Sequence, residues 1–178
     1  MNPRTLAAAL LVPSLFAACA SSSELRVVSA ATPAQNQLLF EQVKALEGTW
    51  EMSNEAGQME VAAIFSVSSQ GSVVREVMFP GAPHEMTNVY HMDGPTLVVT
   101  HYCAGGNQPR MRAVEGEKGK IVFHFDSITN LTARDGQYMG ELTLVRLDEN
   151  TLHEEWHSLQ NGKVLAEHSP VFELTRRR

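Results

Sequence analysis

The residues best suited to chemistry gather in one stretch, Thr100-His101-Tyr102-Cys103-Ala104-Gly105-Gly106-Asn107-Gln108-Pro109-Arg110, with Arg112 two positions further on. Adjacent glycines let backbone approach a bound molecule, Asn107 and Arg110 supply directed donors, and a guanidinium such as Arg112 suits a carboxylate bidentately. The plainer reading is a hairpin loop with His101 hydrogen-bonded inside and Arg110 and Arg112 solvated. His84, His101 and Cys103 together have the chemistry of a zinc or copper site, or of a thiolate activated by an imidazolium. A buried cysteine is more often a small hydrophobe, so no metal and no cofactor is assigned.

Other chemistry-bearing residues are less telling. His153 and His157 would share a helix face, but on a strand they lie with Glu155 on an outer face, opposite Leu152, Glu154 and Trp156. No serine nucleophile elbow, His-Glu-x-x-His or phosphate loop occurs, and no carboxylate pair falls at a site. Catalysis through His84, His101 and Cys103 is therefore the alternative reading, not the leading one.

Short alternating segments bounded by turn residues must position these groups. Strands are expected at 49–53, 58–67, 72–79, 84–92, 95–103, 109–115, 119–126, 136–147, 151–159 and 163–175. So many strands with short links need closure to avoid exposed edges, which predicts an all-β, up-and-down antiparallel barrel of about ten strands. Thr32 as cap, Pro33 at the first position and Leu38, Leu39, Val43 and Leu46 at helical spacing predict one helix ahead of it.

Asp93-Gly94 reads as a two-residue hairpin turn, pairing Met86 with His101 and His84 with Cys103. Its alternation puts Met86, Tyr90, His101 and Cys103 on the inward face. Successive connections alternate between the barrel's ends, and the longer, Gly- and Pro-rich ones (54–57, 80–83, 104–108, 127–135 and 160–162) collect at one of them. That end is the expected mouth.

A helix followed by Gly48-x-Trp50 at the first strand, then a meander ending near Arg176, resembles the calycin superfamily. Within it the chain is similar to the lipocalin-like domains of exported, uncharacterised bacterial proteins. The resemblance implies that Trp50 packs at the closed end beneath a late arginine, Arg176 or Arg177. A faint similarity of His168 and Arg176 to the heme-binding nitrobindins lacks the glycine-rich start those proteins carry after Gly-x-Trp.

Arg4 followed by an apolar run from Leu6 to Ala18 has the form of an export signal, too short to span a bilayer. Leu15-Phe16-Ala17-Ala18-Cys19 resembles a lipobox, in which Cys19 is lipidated and becomes the new N-terminus; cleavage after Ala20 is the rival. The expected organisation is a signal at 1–18, a small-polar tether at 19–32 and the barrel domain at 33–178. Ala20 does not look like an inner-membrane retention signal, which implies an outer-membrane lipoprotein facing the periplasm; the alternative is a soluble periplasmic or secreted protein. Cys103, alone in the exported domain, cannot form an intrachain disulfide.

The chain has 178 residues and a net charge of −6, with scattered basic residues, so no nucleic-acid partner is expected. The functional expectation is a small, partly apolar ligand at the mouth, contacted by His84, Met86, Tyr90, His101, Cys103, Asn107, Arg110, Arg112 and Trp156. A non-catalytic barrel meeting another envelope protein through its loops is a further alternative.

Overall fold

The computed structural model describes residues 25–178; the expected signal, Cys19 and the first tether residues lie outside them. Twelve strands follow the helical segment: β1 (Gly48–Ser53), β2 (Met59–Ser68), β3 (Val73–Met78), β4 (Met86–Asp93), β5 (Thr96–Tyr102), β6 (Gln108–Ala113), β7 (Gly116–Glu117), β8 (Lys120–Thr129), β9 (Tyr138–Arg146), β10 (Thr151–Gln160), β11 (Lys163–Leu165) and β12 (Val171–Arg176). Ten of them close a ring, β1-β2-β3-β4-β5-β6-β8-β9-β10-β12, in which β12 pairs antiparallel with β1. Closure gives every long strand two neighbours, the physical remedy for bare edges. The two-residue β7 and three-residue β11 are short ribbons on β8 and β10.

One end is plugged. Thr32 caps the helical segment with a reciprocal box, its hydroxyl accepting from Gln35 N and the Gln35 side chain accepting from Thr32 N. The single expected helix is interrupted at Leu39 (φ −118°, ψ −82°), giving α1 (Pro33–Leu38) and α2 (Phe40–Lys44). The break lets Leu39 and Phe40, neighbours in sequence, both turn toward the barrel and be buried. With Val43 and Leu46 they meet Ile121, Leu144 and Leu152 in one apolar cluster.

Trp50 lies in this floor, fully buried, with its indole N–H donating to Leu46 O at 2.8 Å. The Arg176 guanidinium sits 4.3 Å from its ring centroid and donates to the carbonyls of Ala45, Glu47 and Glu149. Gly48 is required here: it holds φ +134°, and a Cβ would come within 2.8 Å of Arg176 Nη1. The Gly-x-Trp motif and the distant arginine thus form one contact.

The β4–β5 register corrects the expected one. Asp93 pairs with Thr96, so Gly94 and Pro95, not Asp93 and Gly94, are the central turn residues. Gly94 takes φ +63°, and Pro95 has no N–H to give a ladder, so it belongs in the turn rather than opposite Met92. The pairing slips by two residues: Asn88 now faces His101, and Tyr90 faces Val99. A shift of two leaves each side chain on its face, a shift of one does not. Strand β12 also starts later than expected, because the 163–175 segment divides into β11, a 3-10 turn at Ala166–His168, and β12. His168 is exposed in that turn.

Candidate functional site

Polar residues interrupt the inward rows of four strands. Glu76 follows Val74 on β3, Asn88 and Tyr90 lie on β4, His101 follows Val99 on β5, and Glu154 and Trp156 follow Leu152 on β10. All are buried, Glu76, Asn88 and Tyr90 completely. Around the ring, β2, β1 and β12 separate β3 from β10, so contact between Glu76 and Glu154 crosses the lumen.

The contacts close into a circuit. Glu76 Oε2 accepts from Asn88 Nδ2 and from the Tyr90 hydroxyl, both at 2.7 Å. Since the Asn88 amide nitrogen faces Glu76, its oxygen faces His101 and accepts the Nδ1–H at 2.7 Å. That fixes the neutral His101 tautomer, with Nε2 as a free acceptor. The imidazole lies against Trp156, centroids 4.8 Å apart, and Trp156 Nε1 donates to Glu154 Oε2 at 3.4 Å. Glu154 and Glu76 lie close enough for each carboxyl to act on the other's ionisation, which closes the circuit across the lumen.

Charge is costly in this place. Burial raises the pKa of Glu76, although its bonds to Asn88 and Tyr90 oppose the shift. Glu154 is pushed well above the usual carboxylate range by burial and then by repulsion from Glu76. Glu154 therefore keeps its proton and Glu76 is the more readily ionised partner, the behaviour of two carboxyls sharing a site. Burial lowers His101 to about 4, so the imidazole is neutral at pH 7. Tyr90 is raised well above 10, by burial and then by the charge of Glu76.

Three buried polar atoms of this circuit have no hydrogen-bond partner: Glu76 Oε1, Glu154 Oε1 and His101 Nε2. Above the circuit, at the loop-rich end, Phe79, Met86, Met139 and Phe172 are partly buried against the core. Phe79 is held at φ +52°, unusual for a bulky residue, with its ring 5.0 Å from His84 and 5.4 Å from Phe172. Its N–H donates to Ala62 O at 2.7 Å, where β2 carries the extra residue of a bulge against β1. This rim is apolar and rich in flexible methionine.

Of the expected ligand contacts, Tyr90, His101 and Trp156 lie in the circuit and Met86 lies in the rim. His84, His101 and Cys103 do not come together. His84 is exposed in the turn before β4, while Cys103 follows β5, its N–H donating to Asn107 O and its Sγ 3.4 Å from Gly105 N. The two-residue slip removes the pairing that would have joined them, and among the described residues no three His, Cys, Asp or Glu side chains could hold a metal ion. Asn107 is buried and donates to Gln137 O, bracing one mouth loop against the next.

Arg110 and Arg112 are not above the lumen. Both lie in β6, alternate with inward Met111 and pair on the outer wall with Asp93 and Asp126. Asp93, drawn below the usual range first by its bond to Arg112, also meets Arg26. Glu76, Asn88 and Glu154 were not singled out in the sequence. Their signal was a polar residue at an apolar phase: between Val74 and Met78, between Met86 and Tyr90, and between Leu152 and Trp156.

No protein family matches this chain, and no curated protein does. The closed ten-stranded antiparallel ring is compatible with a calycin or lipocalin-like fold.

Proposed function

We propose that this is an envelope-anchored, lipocalin-like barrel that binds a small, partly apolar ligand through its loop-rich end. One observation carries the reading: a buried circuit across the lumen has three polar atoms without partners, beneath a methionine and phenylalanine rim. An unpaired buried polar atom costs about 1–3 kcal/mol, and a bound molecule that pairs it removes that cost. Met86, Tyr90 and Trp156 would line the ligand and His101 would contact it. The export signal at 1–18 and lipidation of Cys19 would fix the protein to the outer membrane, facing the periplasm.

Native mass spectrometry of the full chain purified from envelopes tests the binding, with a retained organic mass expected. Fractionation tests the anchor: wild type should sediment with membranes and Cys19→Ser should not. A wholly soluble wild type with Ser21 at its N-terminus would refute the lipoprotein reading.

A second reading, a filled barrel that meets another envelope protein through its loops, has its own support. Sizeable hollows lie outside the lumen: one of about 610 Å³ between the helical segment and the turn at Leu147–Glu149, another of about 330 Å³ beside β7. Retention of a protein partner with no small molecule would favour it.

A further inference from the structure

We propose that the Glu76–Asn88–His101–Glu154 circuit receives the protonated amine of a small amphiphilic ligand whose apolar body lies among the rim methionines and phenylalanines. The inference rests on the ligand-binding reading and adds the chemical class of the ligand's polar head.

The unpartnered atoms decide that class. His101 Nε2 can only accept, because Nδ1 carries the proton and gives it to Asn88. Glu76 Oε1 belongs to the more readily ionised carboxyl and also accepts. Glu154 Oε1 belongs to the carboxyl that keeps its proton and faces the same circuit. A carboxylate or phosphate ligand would set negative charge against Glu76, and an alcohol brings a single donor. A primary ammonium brings three donors and one positive charge.

Charge points the same way. The groups that act on the carboxyl pair are Tyr90 on β4 and the two acids themselves, with neutral His101 beyond Asn88 and no lysine or arginine among them. Arg176 is occupied at the closed end with Trp50. Ionised Glu76 thus has no counter-cation among the described residues, a costly state that a bound cation relieves. Trp156, Tyr90 and Phe123 offer aromatic faces nearby, Tyr90 and Phe123 with centroids 6.0 Å apart. A bare metal ion fits poorly, since among the described residues no three His, Cys, Asp or Glu side chains are placed to hold one. Hydrogen bonds of ammonium length span a wider ring than metal bonds do.

Because the carboxyl pair holds protons that a cation would displace, binding should tighten as pH rises, by up to about tenfold per pH unit while one proton is released. The amine stays protonated throughout this range.

Three probes of equal chain length separate the possibilities: n-octylamine, n-octanol and sodium octanoate, titrated into the purified exported protein and followed by tryptophan fluorescence and calorimetry. Octylammonium should bind at least about tenfold more tightly than either other probe, with Kd falling between about pH 5 and pH 8. Glu76→Gln, nearly isosteric, should abolish the amine's advantage over octanol. Glu154→Gln removes one of the two raised carboxyls and should weaken the pH dependence of octylammonium binding. Arg112→Ala on the outer wall is the control, and circular dichroism melts confirm that each variant folds. Octanol or octanoate binding as tightly as the amine would overturn this inference and leave ligand binding standing. Absence of saturable binding by all three probes would overturn both.

Discussion

The two ends of the barrel solve opposite problems with similar backbone. At the closed end every demanding group is answered: Trp50 is under a guanidinium, its N–H is bonded, and Arg176 satisfies three carbonyls left over from the helical segment and a turn. In the circuit nearer the loops, two carboxyls and an imidazole are buried with three atoms unanswered. A stability-only design would place leucines there, as the floor does, since apolar replacements of buried polar groups are often neutral or better. The contrast teaches where a barrel spends folding energy and where it holds reactive or binding groups in reserve.

The largest expected effect tests the closed end. Trp50→Ala should lower stability by about 3–5 kcal/mol in urea unfolding, because the ring is fully buried in a packed floor. A cost near that of a surface residue would mean the plug contributes little.

Next is pH, which opposes groups within the circuit. His101 is near 4 when folded and near 6.5 otherwise, so between those values the unfolded chain holds a proton the folded one refuses. Stability from this residue rises with pH across that window, by on the order of 3 kcal/mol, and is lost again as pH falls. The carboxyl pair has the reverse sign. Both acids are raised when folded, so above about 4.5 the folded state keeps protons the unfolded chain has shed, and stability falls as pH climbs through the raised values. Urea midpoints measured across pH should show His101→Asn losing the rising limb and Glu154→Gln flattening the falling one, with the remainder due to Glu76. Unchanged slopes in both variants would mean that neither group titrates differently on folding.

Arg176→Ala should cost about 1–3 kcal/mol, less than Trp50→Ala, since Arg176 is partly exposed but serves three carbonyls. Thermal melts of the two single variants and the double would show coupling if they act as one contact. The smallest effect belongs to the outer wall. Arg112→Ala should cost below about 1 kcal/mol and shrink further in high salt, because the Arg112–Asp93–Asp126 network is partly solvated. A loss of ligand affinity in this variant would return Arg112 to the site.

Much of this architecture was legible in the residues. Turn spacing and alternation sufficed for the strands and for closure, because a period of two and short links leave few other ways to bury one face. Tyr90, His101 and Trp156 were found because inward parity is local information, and parity survived the slip at Gly94-Pro95. The grouping of His84 with Cys103 failed because it depended on register, which one turn residue decides.

By itself, the sequence determined which residues face inward, where the chain turns and which end carries the long loops, since each follows from the period of two and from local turn chemistry. Only the tertiary structure decided that Glu76 on β3 and Glu154 on β10 influence each other's ionisation across the lumen, that Asn88 relays between Glu76 and His101, and that Arg112 looks outward to Asp93. These are contacts across the lumen or between nearby strands whose facing residues depend on register, and ring closure and hairpin register set them. No local pattern encodes the distance between two walls of a barrel.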